Sequence, residues 1–301
     1  LKEKRKIVIC EDQIIYSEKE RYYVFSYNIV NSTKNVILSD YFVMKNIKNS
    51  NLLDVFNRIE DEIKFSLASK INIDIECIDD YDLYFNNCTT GIFFHEFIGH
   101  MLEADHYYKS PISDKYDVIF NEHLTVYENF NLDGRYDDLG NEIISDLELL
   151  KNGRINKLMN CVTSRYLYNQ EQSGNSIQGN NVESIYPRMQ HMYICSGSQK
   201  FEELISKTHK GLYIEKINLG EVNTFTGDFI VEVEIAFLIE NGKRNLPVEP
   251  LILYFNINEL AKKRILLDNT LKRFYNLCGK KGAVVKVEYT VPSILIKSSV
   301  G

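Results

Sequence analysis

The sequence contains no apolar run long enough to cross a membrane, because none approaches the ~20 residues that a spanning helix needs. The N-terminus also lacks the apolar core of a signal peptide. The chain begins with Leu1 rather than Met, so the sequence leaves open that it starts within a longer protein. From these features we expect no membrane partner.

An excess of positive charge is missing as well. The 301 residues include 35 Lys and Arg against 42 Asp and Glu, which gives a net charge of −7 and a pI near 5.5. Binding to a phosphate backbone depends on a basic surface, and the short basic start of the chain, Lys2 to Lys6, is interrupted by Glu3. The composition therefore argues against nucleic acid as a partner.

Prolines, glycines and paired cysteines are also scarce. The chain has five prolines and fifteen glycines, and it shows no linker, internal repeat or low-complexity tract. No CxxC motif occurs among the six cysteines, which are Cys10, Cys77, Cys88, Cys161, Cys195 and Cys278. This scatter argues against a disulfide framework, and we expect reduced thiols in a cytoplasmic protein.

The sequence is rich in short segments of β-branched and aromatic residues. Residues 4–46 contain several of them, such as YYVFSYNIV, and predict an antiparallel meander. From Asn51 to about Lys70, apolar residues recur at helical spacing and predict an amphipathic helix. We assign residues 1–80 to this β-rich N-terminal segment and its helix.

Residues 81–301 continue with more strands than helices. DLYF predicts a strand, residues 86–90 a turn, and residues 91–107 a helix. FIVEVEIAFLIE followed by Asn241-Gly242 predicts a β-hairpin. The segment INELAKKRILLDNTLKRFYNL predicts a helix across residues 257–277. The whole pattern indicates an α+β fold with a large antiparallel or mixed β-sheet and a few flanking helices.

Two histidines and a glutamate lie together in the predicted helix of residues 91–107. His95, Glu96 and His100 form the segment HEFIGH. Neutral imidazoles are ligands suited to Zn²⁺, and an adjacent carboxylate can take a proton from the attacking water and pass it to the leaving amine. The segment therefore predicts a metal-binding helix of an enzyme that hydrolyses amide bonds.

The five-residue spacing of the histidines does not suit a regular helix. Residues five apart are separated by about 140° at 3.6 residues per turn, so one metal ion could not bind both without distortion. A π-type turn would bring the two imidazoles together, and such turns are frequent at functional sites. We predict a helix irregularity between His95 and His100, close to Gly99.

The residues alone leave alternatives open. Two histidines and a glutamate on one helix are often polar surface residues without a ligand. A catalytic zinc also needs a third protein ligand. Local spacing does not choose among the candidates, which are Glu103, Asp105, His106, His123 and the distant cysteines.

The longer segment HEFIGHMLEAD, residues 95–105, resembles the motif HExxGHxLExD of the TldD/PmbA family of metallopeptidases. Further similarities follow in the family's order, in NLDGRYDDLGN, in Pro187-Arg188-Met189, in the run from GLYIEKI to LIENGK, and in NLCGKKG. The resemblance covers about residues 80–301. The family's N-terminal domain is then missing or shortened, and residues 1–80 are expected to be its remnant.

The resemblance implies a zinc site and a general base. The residues that match the family's active positions are the ligands His95, His100 and Cys278 and the base Glu96. A thiolate is a strong zinc ligand, which suits Cys278 to this role. Glu103 and Asp105 complete the motif, and we expect them to orient the histidines or to brace the helix.

The same resemblance implies a peptidase that acts on unfolded or flexible peptides, including leader segments of modified peptides. Such a peptide can bind as an added strand at an exposed sheet edge. The resemblance also implies a dimer, either of two copies or with a related subunit. Tyr127 and Tyr193 are candidates for donating a hydrogen bond to the reaction's oxyanion, although the sequence does not single out either.

Two other functions stay open from the sequence. One is a non-catalytic, peptide-binding partner subunit of a TldD-type complex, which stoichiometric zinc in the purified chain would exclude. The other is a metal-dependent amidase of small molecules. Cleavage of an unstructured peptide that is lost in Glu96→Gln would argue against that second function.

Overall fold

The chain folds mainly into strands, with short helices between them. The computed structural model describes residues 2–10, 13–31, 34–45, 49–110, 123–132, 134–179, 185–280 and 283–298. Within them the strands are β1 Lys2–Cys10, β2 Gln13–Asn31, β3 Lys34–Met44, β4 Asp82–Phe85, β5 Val126–Glu128, β6 Leu147–Lys151, β7 Arg154–Ile155, β8 Ser176–Gln178, β9 Ile185–Pro187, β10 His191–Ile194, β11 Lys210–Asn223, β12 Asp228–Glu240, β13 Lys243–Val248, β14 Leu251–Asn256, β15 Ile265–Leu267, β16 Lys272–Lys280, β17 Ala283–Val291 and β18 Ile294–Ile296.

The helices are mostly only one or two turns long. The α-helices are α1 Asn49–Leu67, α2 Asn87–Phe94, α3 Ala104–Tyr107, α4 Val162–Tyr168, α5 Phe201–Ser206 and α6 Ile257–Lys262. Two 3₁₀ turns span Ile75–Asp80 and His100–Leu102, and a π-helical turn spans His95–Gly99. The predicted α+β fold with large mixed sheets is confirmed.

The N-terminal region is a three-stranded antiparallel sheet followed by α1. The long strand β2 is central and pairs with β1 on one side and β3 on the other. In α1, Val55 and Phe65 are buried, whereas Leu53 and Phe56 are exposed. The predicted meander and amphipathic helix are therefore confirmed, and the helix ends at Leu67.

The largest sheet has seven strands in the order β13-β12-β11-β4-β18-β15, with β14 also paired to β12. Alternate residues of β12 are buried, among them Val231 and Val233, because one face of the strand covers the core. Asn241 and Gly242 connect β12 to β13 with positive φ angles of 48° and 77°. Two positive φ angles are typical of a type I′ turn, so the predicted hairpin is confirmed.

A second sheet has six strands in the order β16-β17-β10-β5-β6-β7. The β10–β17 pair is parallel, and the other pairs are antiparallel. Strand β16 lies at the edge of this sheet. One side of β16 is therefore free of a ladder partner among the described residues.

Helix α2 lies between the two large sheets. On one side Phe93 packs against Phe85 and Phe229 of the seven-stranded sheet, with ring centroids 4.6 and 5.4 Å away. On the other side Gly91 approaches Phe274 of β16 so closely that a Cβ would lie 2.4 Å from the ring carbon Cζ. These contacts place the residues that follow α2 at the junction of the two sheets.

The predicted helix over residues 257–277 is wrong beyond Lys262. Helix α6 ends there, and the chain continues as β15 and β16. Along its whole length β16 pairs with β17, and this backbone ladder, with the aromatic Phe274 and Tyr275, overrides the helical spacing of the apolar residues. As a result Cys278 lies on a strand.

Ion pairs connect the N-terminal region to the seven-stranded sheet. The buried Nζ of Lys216 on β11 lies 3.0 Å from Asp40 Oδ2, 3.2 Å from Glu62 Oε1 and 3.1 Å from Glu234 Oε2. Asp40 belongs to β3 and Glu62 to α1, so both N-terminal elements are held at this point.

No helix in the described part of the chain is long and apolar enough to span a membrane.

Candidate metal centre

Helix α2 begins earlier than its apolar spacing suggested. Residues 86–90 were expected to form a turn, but the helix starts at Asn87 and Asn86 is its N-cap. The Asn86 side chain accepts a hydrogen bond from the Thr89 backbone N–H at 2.9 Å, which satisfies one of the free donors of the first turn. The cap fixes where α2 starts. It thereby helps to fix the direction of the helix that leads to His95.

The helix changes its winding at the histidine motif. Residues His95–Gly99 form a π turn, which a 3₁₀ turn follows, and the chain becomes extended at Glu103 with ψ of 121°. The wider turn brings the rings of His95 and His100 to a centroid distance of 4.5 Å. The predicted irregularity is confirmed, whereas a continuous helix across residues 91–107 is wrong.

Cys278 approaches the two histidines from the neighbouring sheet. Its Sγ lies 3.0 Å from Nε2 of His95 and 3.5 Å from Nε2 of His100. All three side chains are buried, and their candidate ligand atoms lie within 4.8 Å of one another. Two imidazoles from a helix and one sulfur from a strand, 178 residues later in the chain, therefore converge on one point.

The three donors fit a zinc ion. Tetrahedral zinc binds nitrogen at about 2.0–2.1 Å and sulfur at about 2.3 Å, which places neighbouring N and S donors about 3.5 Å apart. The separations from Cys278 Sγ to the two Nε2 atoms are 3.0 and 3.5 Å. Both imidazoles direct Nε2 to the centre, and Nδ1 of His100 lies 3.1 Å from a carboxylate oxygen of Glu103. Such a carboxylate behind an imidazole is a usual partner of zinc-binding histidines.

The electrostatic environment favours the ligand form of the sulfur. Burial raises the pKa of the Cys278 thiol, but His95 and His100 outweigh burial and lower this pKa to about 5. Burial lowers the pKa of His100, and the Glu103 carboxylate and the Cys278 sulfur outweigh it, so that this pKa lies well above its usual value. The sulfur is therefore a thiolate at neutral pH, which is the form that binds zinc.

Glu103 and Asp105 lie behind the histidines and share one ammonium group. Lys280 Nζ is 2.6 Å from Glu103 Oε2 and 3.1 Å from Asp105 Oδ1. Burial raises the pKa of Glu103, but His100, Lys280 and a neighbouring arginine outweigh it and keep this carboxyl ionised. The two acids and His106 form a second group with metal-ligand geometry, yet the Lys280 ammonium already supplies the positive charge between the acids.

Glu96 lies beside the three donors. Its Oε2 is 4.0 Å from Nε2 of His100. Burial raises the pKa of Glu96, although the nearby imidazoles oppose this effect. The backbone of β11 packs against this side chain, because a Cβ on Gly220 would lie 2.5 Å from Glu96 Cγ. A carboxylate with a raised pKa next to the donor cluster is suited to accepting a proton.

A cavity of about 1040 Å³ opens above this group of residues. Its walls include Glu96, His95, His100 and Cys278, together with residues 39–45, 216–222 and 273–280. The first of these segments belongs mainly to β3, the second to β11 and the third to β16, so three strands from three sheets border the cavity. The donor cluster is therefore reachable from outside through a cleft with strand-lined walls.

Two tyrosines suggested from the sequence do not line this cavity. Tyr127 on β5 donates a hydrogen bond to Glu148 at 3.2 Å, and Tyr193 stacks on Phe130 with ring centroids 3.9 Å apart. Three tyrosines do line the cavity, Tyr41, Tyr275 and Tyr289, and the ring of Tyr289 on β17 lies 5.8 Å from that of His95. No sequence pattern pointed to Tyr289 beyond its position in an apolar strand.

Lys280 was also missed as a functional neighbour, although NLCGKKG contains it. A lysine in a polar turn segment is usually solvated, and only the fold shows that its ammonium is buried between Glu103 and Asp105. Of the other candidate third ligands, His106 lies beside those two acids, at 3.8 Å from Glu103 and 3.9 Å from Asp105. Among the described residues, His123 belongs to neither of the two groups of candidate metal ligands.

Several curated proteins similar to this chain are named as metalloproteases. A family model described as PmbA/TldA metallopeptidase C-terminal domain matches residues 78–300. A metalloprotease of Methanothermobacter thermautotrophicus is 28% identical over 226 residues, which cover 73% of this chain and 49% of that protein. A zinc metalloprotease TldD homolog of Saccharolobus solfataricus is 22% identical over 267 residues, covering 82% and 57%. The chain thus spans about half the length of these curated relatives.

The same fold occurs in a solved structure. TldE from Thermococcus kodakarensis superimposes with a TM-score of 0.69 at 17% sequence identity, over 94% of this chain and 62% of that one. The family model covers most of the chain, so the resemblance seen in the motifs is confirmed. The chain belongs to the PmbA/TldA metallopeptidase family, whose C-terminal domain matches residues 78–300.

Proposed function

We propose that this chain is a zinc-dependent peptidase in which His95, His100 and Cys278 hold the metal and Glu96 is the general base. The observation that supports this most strongly is the convergence of the three buried donor atoms beside the Glu96 carboxylate. The relatives named as metalloproteases, one of them as a zinc metalloprotease, support the same function.

When bound, zinc supplies Lewis acidity that makes a water molecule nucleophilic at neutral pH and polarises a carbonyl group. The role of Glu96 is to accept the proton of the attacking water and to deliver it to the leaving amine. Burial raises the pKa of Glu96, which suits a group that both accepts and donates a proton. Gly220 restricts the position of Glu96 by contact with its side chain.

The substrate that best suits the cleft is an extended, flexible peptide. The ladder of β11 with β4 ends at Ile214, so from Lys216 to Val222 β11 pairs with β12 alone among the described residues. A peptide strand can add to such an edge through main-chain hydrogen bonds, which place few demands on side chains. Gly220 lies within this segment and contacts Glu96, so a peptide bound along β11 passes the general base. Leader segments of modified peptides are substrates of this type.

Residues 1–80 would then form one wall of the substrate cleft, and residues 81–301 the catalytic domain. Tyr41 Oη of β3 donates a hydrogen bond to Asn276 Oδ1 at 2.9 Å, which connects this wall to the strand that carries Cys278.

We propose that the active form is a dimer, of two copies or with a related subunit. Cys88, Cys161, Cys195 and Cys278 are free thiols. A thiolate ligand such as the proposed Cys278 suits the reducing environment of the cytoplasm.

The test separates metal binding from hydrolysis. The zinc-loaded full chain is incubated with an unstructured peptide, and the products are identified by mass spectrometry. Glu96→Gln is expected to keep its zinc and to lose at least about 100-fold in kcat, because a positioned general base contributes at least about that factor to the rate. The matched control is Glu60→Gln, because Glu60 is exposed on α1 and pairs with Lys64.

The outcome decides among the functions left open. A wild-type chain that binds no zinc and cleaves no peptide would indicate a non-catalytic partner subunit. Full activity of Glu96→Gln would refute the general-base role. Hydrolysis of small amides but not of peptides would indicate an amidase instead.

A further inference from the structure

Arg188 is the largest fully buried side chain among the described residues, and the proposed chemistry does not explain its role. It belongs to the Pro187-Arg188-Met189 segment between β9 and β10, and only 1% of its surface is exposed. It does not line the substrate cavity. A buried guanidinium is stable only with polar partners, so its partners indicate its role.

The partners of Arg188 belong to the two halves of the metal centre. Its Nη2 donates a hydrogen bond to the backbone carbonyl of Cys278 at 3.1 Å. Its Nε lies 3.7 Å from Oε1 of Glu103. The other oxygen of Glu103 lies 3.1 Å from Nδ1 of His100. One side chain therefore joins the strand that carries the sulfur ligand to the carboxylate behind an imidazole ligand.

The position of Arg188 is itself fixed by the backbone. Its N–H donates to the carbonyl of Asn175 at 3.0 Å, and its own carbonyl accepts from Asn175 Nδ2 at 3.1 Å. The next residue, Met189, packs against the π turn so closely that a Cβ on Gly99 would lie 2.3 Å from Met189 Cε. The segment is thus anchored on both sides before the guanidinium reaches the site.

We propose that Arg188 is a positioning residue that sets the separation of the sulfur ligand from the histidine ligands. The guanidinium suits this task because its planar group of N–H donors can address a carbonyl and a carboxylate at once. A lysine ammonium at this position would keep the charge but not the planar fork. This inference rests on the proposed zinc site and adds a residue that contacts neither metal nor substrate.

The test measures zinc affinity rather than activity alone. Zinc dissociation constants of the full chain are determined by competition with a chromogenic chelator. Arg188→Met is expected to weaken zinc binding by about 10- to 100-fold, the range found for residues that hold metal ligands in place. The zinc dissociation constant of Arg188→Lys is expected to lie between those of the wild type and Arg188→Met. With Co²⁺ in place of zinc, the sulfur-to-metal absorption band should shift in both variants.

A matched control separates positioning from a general loss of buried charge. Lys216 is also buried, and its ion pairs are with Asp40, Glu62 and Glu234 rather than with residues of the metal centre. Lys216→Met is expected to lower the thermal stability of the chain and to leave the zinc dissociation constant within about 2-fold of the wild type, since it changes no partner of a ligand.

Each result bears on a defined claim. Wild-type zinc affinity and an unchanged Co²⁺ band in the Arg188 variants would overturn the positioning role and leave the proposed function intact. Absence of zinc binding in the wild type would overturn both. If Arg188→Met does not fold, Arg188→Lys decides, because an affinity equal to that of the wild type shows that the guanidinium fork is not needed.

Discussion

Gly220 lies against Glu96 so closely that a Cβ on residue 220 would be 2.5 Å from Cγ and 3.2 Å from Cδ of the glutamate. The strand that borders the cavity thus fixes the carboxylate by direct contact of its backbone. Any side chain at position 220 must displace Glu96 or separate β11 from the π turn. This contact joins the proposed peptide-binding edge to the proposed general base.

Gly220→Ala is therefore expected to lower kcat without removing zinc. A displacement of the general base by about 1 Å can reduce the rate by about 100-fold, so we expect a loss of about 10- to 100-fold in kcat. Peptide hydrolysis under saturating zinc measures kcat, and metal analysis of the same samples gives the zinc content.

The double variant tells whether the effect passes through Glu96. In a Glu96→Gln background the proposed general base is already lost, so Gly220→Ala should reduce kcat by less than about 2-fold more. Fully multiplicative losses in the double variant would show that Gly220 acts on the reaction by another route.

Gly91→Ala is expected to destabilise the fold where α2 meets β16 and β17. Its Cβ would lie 2.4 Å from Phe274 Cζ and 2.9 Å from Tyr289 Cγ. Such overpacking typically costs about 1–3 kcal/mol, which the higher helix propensity of alanine, worth about 1 kcal/mol, offsets only in part. Urea unfolding measures the difference. Gly279→Ala is the control for stability, because a Cβ there meets no atom within 4 Å.

Glu128 is expected to make the stability of the chain depend on pH. Burial raises the pKa of this carboxyl to about 8, against the lowering effect of hydrogen bonds from the backbone N–H groups of Gln190 and His191. The folded state therefore binds the proton more tightly than the unfolded state. The stabilisation by this group is complete below pH ~4.5 and is lost as the pH rises toward about 8.

Glu128→Gln should remove this loss, since the amide oxygen can still accept the two backbone hydrogen bonds. The difference in unfolding free energy between variant and wild type should grow by up to about 1.4 kcal/mol per pH unit between pH 5 and 8, in favour of the variant. Urea unfolding at several pH values measures it. A constant difference over this range would show that Glu128 does not titrate in the folded protein as expected.

The sequence predicted the local features well where spacing has one physical solution. Two histidines five residues apart on a helix cannot face one ligand without a change of winding, and the π turn His95–Gly99 provides that change. Asn241-Gly242 predicted the hairpin equally well. A type I′ turn requires positive φ at both central residues, and Asn-Gly adopts such angles readily.

Features that depend on tertiary pairing were missed. The segment 257–277 has helical spacing, but residues 272–277 belong to β16, because β17 offers a full ladder of backbone hydrogen bonds. Family resemblance, not spacing, identified Cys278, which is distant in the chain from the histidines. The burial of Lys280 and Arg188 was not predictable, because charged residues are usually exposed and only the folded chain brings their acidic partners near.

The most direct test of the central claim is the zinc content of the full chain with and without Cys278, the proposed sulfur ligand. We expect about one zinc ion per chain in the wild type and its loss in Cys278→Ser, because a catalytic zinc needs three protein ligands. Cys161→Ser is the control, since Cys161 is a buried free thiol that caps α4. Loss of zinc in Cys278→Ser alone would agree with the account. Equal zinc content in all three proteins would contradict it.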